Sequence, residues 1–379
     1  MSASKKIYDL LLYGKSYQET LFDGTTQSFD LKYIDWENID NNIFRVTDEF
    51  SVEKFDKTHR RPDIVITVNG IPLVVIECKK SAITVDEGIK QLVQNCKPHE
   101  IPQLFKFVQL EISTNTNNFL YGTCATTKEY FTQWKEKDDS WLNYLLSVHV
   151  KNRIPTTQDR NIISLLEKNR LFEIIKMFTL YDNNIKKIAR YQQFFGIKRA
   201  MNRILGKDGN SSRNGVIWHT QGSGKSLTMV MLVKNIIAES EKENSSIKNP
   251  RFVLVTDRIN LDKQLRDNFT NTQMAPSRAT TATGLLNLLK DEKEKKIFKE
   301  NILNVNNAGN SNNNNKEKIF ELLEELRLKE KEIKNLKELN DRYPFKLLEG
   351  EKLMSVIFTS FNQEIHYPII CKNMIYLVN

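Results

Sequence analysis

The chain has 379 residues, 40% of them hydrophobic and 27% charged. That composition excludes a chain too polar to fold, and the length predicts two or three domains. The net charge of +9 suits a polyanionic partner, because contacts to phosphate release counterions. A merely basic, solvated surface is the alternative.

No run approaches the ~18 apolar residues needed to cross a bilayer, so no membrane role is expected. The apolar stretch within MSASKKIYDLLLYGKSYQ is too short for a signal peptide and has no small-residue cleavage site. Cys78, Cys96, Cys124 and Cys371 lack CxxC spacing. Neither a zinc site nor a disulfide framework is predicted, and reduced thiols in the cytoplasm are the default.

Residues 1–150 read as short strands alternating with helices. DIVITV (63–68), Asn69-Gly70 and IPLVVIECK (71–79) predict a hairpin, since Asn-Gly between apolar runs signals a tight turn. A helix is expected around 85–97 and a strand near 119–123. Residues 151–185 read as a helical connector, with LLEKNRLFEIIKMF (165–178) apolar at helical spacing. From 186 the order is a helix over KIARYQQFFGIKRAMNRIL, a strand NGVIWHT, a glycine loop QGSGKS and a helix LTMVMLVKNIIAE. A strand RFVLVTD (251–257) and a helix at 259–269 follow. This alternation implies a parallel sheet with crossover helices.

Residues 291–342 differ in kind. They are charged, then asparagine-rich, then carry Ile319, Leu322, Leu326, Ile333 and Leu336 at heptad spacing. The block reads as a low-complexity and helical insertion. LMSVIFTSF (353–361) resumes an apolar pattern. NMIYLVN (373–379) is strand-like and ends the sequence, which suggests a fragment.

The first constellation is Asp63, Glu77 and Lys79, spaced as PD-x(13)-E-x-K. Glu77 and Lys79 are two apart on a strand, so both leave one face while Cys78 leaves the other. Two carboxylates can hold Mg²⁺, and a lysine beside them can stabilise charge on a phosphodiester under attack. The geometry carries a difficulty. A strict two-residue turn at Asn69-Gly70 sets Asp63 opposite Ile76, on the wrong face for Glu77. A three-residue loop, or a bulge near Pro72, would bring Asp63 opposite Glu77, so such an irregularity is predicted. Gln91 on the next helix could add a polar contact, and Glu19 is the candidate for a further acid on an N-terminal helix. Ordinary polar residues at strand ends are the alternative.

The second constellation is the glycine loop, which follows a strand and opens a helix as a phosphate loop requires. Gly222 and Gly224 permit tight turns. The amides from Gly222 through Ser223, Gly224 and Lys225 to Ser226 would face a β-phosphate at the helix N-terminus. Lys225 would reach the β- and γ-phosphates of ATP, and the Ser226 hydroxyl would ligate Mg²⁺. His219 stands where the usual pattern has its first glycine. Gln192, after Tyr191, could read an adenine edge, as in helicases with a Q motif. Thr256-Asp257-Arg258 could touch DNA or cap a helix. No Asp-Glu pair ends an apolar strand after the loop, so poor ATP binding, or binding without turnover, is expected of the chain alone.

A nuclease pattern followed by a phosphate-loop motor is a narrow combination. The chain resembles the R (restriction, motor) subunit of type I restriction–modification enzymes. NNIFRVTDEFSVE, RRPDIVITVNGIPLVVIECKK, IPQLFKFVQLEISTNTNN, ARYQQ, WHTQGSGKSLTM and VLVTDRINLDKQ carry the resemblance. The family usually has histidine at the position of His219.

The resemblance implies an α/β fold: a PD-(D/E)xK nuclease-like mixed-sheet domain over 1–150, a connector over 151–185, and a partial RecA-like parallel-sheet lobe of the superfamily 2 type over 186–379. It implies ATP-dependent translocation along double-stranded DNA and Mg²⁺-dependent cleavage, in a complex with methylation and specificity subunits. Asp63, Glu77 and Lys79 are then the nuclease site with Gln91 as accessory, and Gln192 contacts adenine. Asn379 would stand where the family's Asp-Glu-Ala-His motif begins, and the first helix with its acid is expected to be missing. A catalytically inactive DNA- or ATP-binding remnant and a stand-alone helicase-like ATPase are the competing readings.

Overall fold

The computed structural model describes residues 3–124, 126–209, 213, 215–220, 222–248, 250–256, 259–272, 274–279, 297–301, 355–358 and 374–378. By internal contacts the chain divides into Met1–Phe195 and Gly196–Asn379.

The first unit opens with α1 (Ala3–Tyr13) and an exposed hairpin, β1 (Lys15–Thr20) with β2 (Thr26–Leu31). The sequence pattern did not disclose this helix. Tyr8 anchors α1 by donating its hydroxyl hydrogen bonds to the carbonyls of Ile175 and Thr179. Glu19 lies in β1 opposite Gln27 and is exposed, so the helix assignment for this acid is corrected. Polar alternation in KSYQET suits a two-sided solvated strand better than a helix.

Then come β3 (Phe44–Asp48), β4 (Val52–Glu53), β5 (His59–Arg60), β6 (Ile64–Val68), β7 (Ile71–Cys78), α2 (Val85–Asn95), α3 (Pro102–Phe105), β8 (Leu110–Asn115) and β9 (Asn118–Gly122). The main sheet has the order β3-β6-β7-β8-β9. Only the β7–β8 pair is parallel, because α2 carries the chain across between them. Buried Ile89 and Leu92 of α2 pack with Val65, Val75, Phe105 and Val108. Each such side chain contributes about 1.5–3 kcal/mol on burial.

The expected hairpin forms. Asn69 (φ +52°) and Gly70 (φ +81°) both adopt left-handed conformations, as a type I′ turn needs. The Asn69 side chain also accepts from the Ile43 amide and donates to the Tyr33 carbonyl, pinning the turn to its surroundings.

The segment after the sheet holds α4 (Asp139–His149), α5 (Thr157–Leu165) and α6 (Lys168–Met177). The predicted helix 165–178 begins at 168, since the Glu167 side chain caps α6 by accepting from the Arg170 amide. Next is a hairpin, β10 (Thr179–Asp182) with β11 (Ile185–Ile188), turned by Asn183 and Asn184 at positive φ. The helix expected from 186 therefore starts later, as α7 (Tyr191–Ile204).

In the second unit β12 (Gly215–Trp218) leads to α8 (Lys225–Ser240), β13 (Arg251–Thr256), α9 (Ile259–Asn271), β14 (Ser277–Ala279), β15 (Ile297–Asn301), β16 (Ser355–Phe358) and β17 (Met374–Val378). An all-parallel sheet was expected. Instead β13 runs parallel to β15 but antiparallel to β17, and β12 pairs antiparallel with β16. An apolar strand sequence carries no direction; the route of the connecting chain sets it. β15 lies inside the block expected to be low-complexity or helical. The heptad positions 319–336, together with Asp257, Arg258 and Asn379, lie outside the described residues.

Candidate active site

The β6–β7 pairing starts from Val68 opposite Ile71 and Thr67 opposite Pro72, then shifts to Ile66 opposite Val74 and Ile64 opposite Ile76. Leu73 is the extra residue, a β-bulge one position from Pro72. Continuing that register past Ile64–Ile76 sets Asp63 opposite Glu77. The predicted irregularity is present, and it turns a mismatched pair of strands into one shared acidic face.

Four side chains converge there. Lys79 Nζ stands 3.3 Å from Glu77 Oε2 and 3.7 Å from Asp63 Oδ2. It also donates to Gln91 Oε1 at 3.0 Å. The Cys78 amide donates to Asp63 Oδ2 at 2.7 Å, fixing the Asp63 carboxylate across the strand pair. Asp63 is 38% exposed and Lys79 15%, whereas Glu77 is fully buried. The site thus has a closed floor and an open mouth.

Glu77 Oε1 is buried and accepts no hydrogen bond among the described residues. A carboxylate oxygen out of water without a partner is costly. Burial first, and then the Asp63 charge, push the Glu77 carboxyl up to about 8, against the opposing pull of Lys79. A hard divalent cation between Asp63 and Glu77 would satisfy that oxygen and favour both charges, so the residues fit Mg²⁺.

The helix α2 reaches this face through a glycine. A Cβ on Gly88 would lie 2.2 Å from Ser113 Oγ and 3.3 Å from Glu77 Cβ. Sequence reasoning missed Gly88 and Ser113. It also missed Glu100, which accepts from Arg60 Nε at 2.6 Å, Arg60 Nη2 at 2.9 Å and Gln94 Nε2 at 3.0 Å. That network ties the strand leading to Asp63 to the end of α2. A glycine facing a small residue three positions from Gln91 was the available signal for the first; none pointed to Glu100.

The residues of the glycine loop stand together in the second unit. Gly222 and Gly224 have φ of +75° and +84°, and Gly224 is the N-cap of α8. Glycine adopts such angles without the Cβ penalty. Ser223 is buried and donates to the Thr220 carbonyl at 2.7 Å, which folds the loop onto itself. Lys225 and Ser226 begin the helix. The N-terminal amides of a sixteen-residue helix suit a phosphate, so the residues fit a nucleotide with its Mg²⁺. His219 is nearly buried, and desolvation with the Lys225 charge holds its imidazole below the usual range.

Gln192 lies in the first turn of α7, in the first unit, and its Oε1 is buried without a hydrogen-bond partner among the described residues. Tyr191 beside it has the ammonium groups of Lys135 and Lys137 each 5.8 Å from its ring centre. Among the described residues no helix is long and apolar enough to cross a membrane.

Two stretches of the chain match known families. Residues 1–130 match the family described as Type I restriction enzyme R protein N terminus, and residues 192–341 match the SWI2/SNF2 ATPase family. The type I restriction enzyme HindI endonuclease subunit of Haemophilus influenzae is 30% identical over 289 residues, covering 71% of this chain and 26% of that one. A Methanocaldococcus jannaschii protein named for the type I restriction enzyme MjaIXP endonuclease subunit is 31% identical over 308 residues, covering 74% and 29%. Another from that organism, named for the MjaVIIP endonuclease subunit, is 33% identical over 248 residues, covering 62% and 22%. The chain spans between 22% and 29% of the length of these relatives. In its first 130 residues the chain is of the type I restriction enzyme R protein N-terminal family, and over most of its length it resembles the endonuclease subunits of type I restriction enzymes.

Proposed function

We propose that this chain carries the DNA-cleaving site and the nucleotide-binding loop of a type I restriction endonuclease R subunit. The observation that carries the reading is the bulge at Leu73. It brings Asp63 opposite Glu77, with Lys79 beside both and one Glu77 oxygen left for a cation.

Asp63 and Glu77 would hold Mg²⁺. When bound, the ion supplies a Lewis acid next to a phosphodiester of double-stranded DNA. Lys79 holds a positive charge at the same face, where it stabilises negative charge growing on the phosphate. Gln91 accepts from Lys79 Nζ and so orients the ammonium between the two acids. Half-exposed Asp63 forms the mouth of the site, and Glu77 lies buried at its floor.

The loop from Gly222 to Ser226 would bind the phosphates of ATP, with Ser226 a ligand of its Mg²⁺. Translocation along DNA and assembly with methylation and specificity subunits in the cytoplasm follow from the same reading. The 1–150, 151–185 and 186–379 segments would be nuclease, connector and RecA-like motor lobe.

The test is cleavage of supercoiled plasmid by the full chain in Mg²⁺, with and without the methylation and specificity subunits and ATP. Wild type should nick or cut, and Lys79→Ala and Asp63→Asn should lose cleavage while melting as wild type does. Cleavage that survives in folded Lys79→Ala protein would sink the assignment.

A further inference from the structure

A second cluster of metal-ligating side chains sits apart from the four residues above. Cys96 directly follows α2, Glu111 lies in β8, and Cys124 stands two residues past β9. The sulfurs of Cys96 and Cys124 are 3.0 Å apart, and the Cys96 thiol donates to Glu111 Oε1 at 3.3 Å. All three ligand atoms lie within 4.8 Å of one another. Glu111 is 1% exposed. Buried Lys186 of β11 donates to the Val108 carbonyl at 2.6 Å and feels the charges of all three groups.

We propose that Cys96, Glu111 and Cys124 bind one zinc-type divalent transition-metal ion, with a water as fourth ligand. The proposal does not rest on the nuclease reading.

The donor set selects the metal. Two thiolates and a carboxylate are ligands for zinc and its neighbours, whereas Mg²⁺ and Ca²⁺ take oxygen alone. Charge agrees as well. Two thiolates and one carboxylate carry three negative charges; the Lys186 ammonium offsets one, and a divalent cation the other two. Uncompensated, those charges would be costly at this depth. Burial accordingly pushes Glu111 up to about 7, and the contact with Cys124 followed by burial pushes the Cys96 thiol upward.

Distances are compatible. Zinc bonds to sulfur and oxygen set a tetrahedral S···O edge of about 3.5 Å and an S···S edge of about 3.8 Å. The first is close to the 3.3 Å observed between Cys96 and Glu111. The sulfurs would part by less than about 1 Å, through rotation of two half-buried side chains that solvent can reach. On binding, the thiol protons leave to solvent. The ion would then tie the end of α2 to β8 and to the end of β9.

The experiment is a Co²⁺ titration of the full-length reduced chain after chelation under anaerobic conditions, followed by Zn²⁺ competition. One Co²⁺ per chain should bind with a near-ultraviolet thiolate-to-metal band, and Zn²⁺ should displace it. Cys96→Ser and Cys124→Ser should each weaken binding by at least about tenfold, and Glu111→Gln by about tenfold. Cys371→Ser and Asp63→Asn should leave the thiolate band and its Co²⁺ dependence unchanged, which separates this site from the nuclease face. Metal-free variants are compared by circular dichroism, and half-exposed Cys124→Ser suffices if Cys96→Ser fails to fold. Absence of the thiolate band would overturn the proposal. So would a band lost in Cys371→Ser, or a Cys96–Cys124 disulfide in protein purified without reductant that takes up no metal once reduced.

Discussion

Gly88 of α2 faces Ser113 of β8 so closely that a methyl group at position 88 would stand 2.2 Å from Ser113 Oγ. Ser113 cannot swing aside freely, because its hydroxyl donates to the Val85 carbonyl at 2.6 Å. The missing side chain therefore sets the distance between helix and sheet, and with it the reach of Gln91 to Lys79. Gly88→Ala should lower unfolding free energy by about 1–3 kcal/mol, the usual effect of overpacking. Adding Ser113→Ala should recover part of that loss but not all, since Ser113 Cβ remains 3.2 Å from the new methyl. Urea unfolding of the two variants decides it. A Gly88→Ala protein as stable as wild type would show that close packing does not fix α2.

Glu100 gives a pH-dependent stability. The Arg60 fork, and then Gln94, hold its carboxyl well below the usual carboxylate range. A folded-state pKa below the unfolded one means stability that is fully present above the unfolded value and is lost as pH falls from there through the folded one. The window is below about pH 5, given an unfolded glutamate near 4.3. Arg60 is 43% exposed, so screening limits the effect to about 1 kcal/mol. Glu100→Gln should flatten the acid limb of the stability profile between about pH 5 and 3 while leaving it unchanged in slope near pH 7. Thermal melts across that range read it out.

The hairpin and its bulge were legible because Asn69-Gly70 names its turn type and the Asp63–Glu77–Lys79 spacing then demands a register shift. β8 was not, although all six of its residues are buried. Four of the six residues of its sequence, LEISTN, are polar, and they find their partners in the fold: Glu111 in the Cys96 thiol, Ser113 in the Val85 carbonyl, Asn115 in the Ile83 carbonyl, Thr114 in the Asn118 carbonyl. Hydropathy cannot reveal partners brought in by the fold. The β10–β11 hairpin failed for a different reason. Asn183-Asn184 is a turn signal, but the lysines of IKKI masked a strand in which Lys186 is buried. Strand direction around β13 was beyond sequence for want of any directional signal in an apolar run.

Removing the buried carboxyl at position 77 should separate stability from cation binding. Glu77→Gln keeps the shape and deletes a carboxylate that is fully buried beside Asp63. The metal-free variant should be at least as stable as metal-free wild type, because the desolvation and repulsion are gone. Mg²⁺ at ten times its dissociation constant should stabilise wild type by about 1.4 kcal/mol, a rise of a few degrees in Tm, and leave Glu77→Gln unmoved. Differential scanning calorimetry with and without Mg²⁺ makes the comparison. An equal Mg²⁺ shift in both proteins would place the cation elsewhere.

The phosphate loop should respond differently to loss of its backbone shape and loss of its charge. Gly224 caps α8 at φ +84°, where any other L-residue is strained by about 1–2 kcal/mol. Gly224→Ala should therefore disturb the amides proposed to face the β-phosphate and weaken ADP and ATP alike. Lys225→Ala keeps both loop glycines and removes the charge proposed to reach the β- and γ-phosphates. It should weaken ATP by at least about tenfold, or 1.4 kcal/mol, and weaken ADP less. Titration with fluorescent ATP and ADP analogues distinguishes the two patterns. If Lys225→Ala lowered affinity for both nucleotides equally, the lysine would act on the β-phosphate or the loop's conformation, and its assignment to the γ-phosphate would be lost.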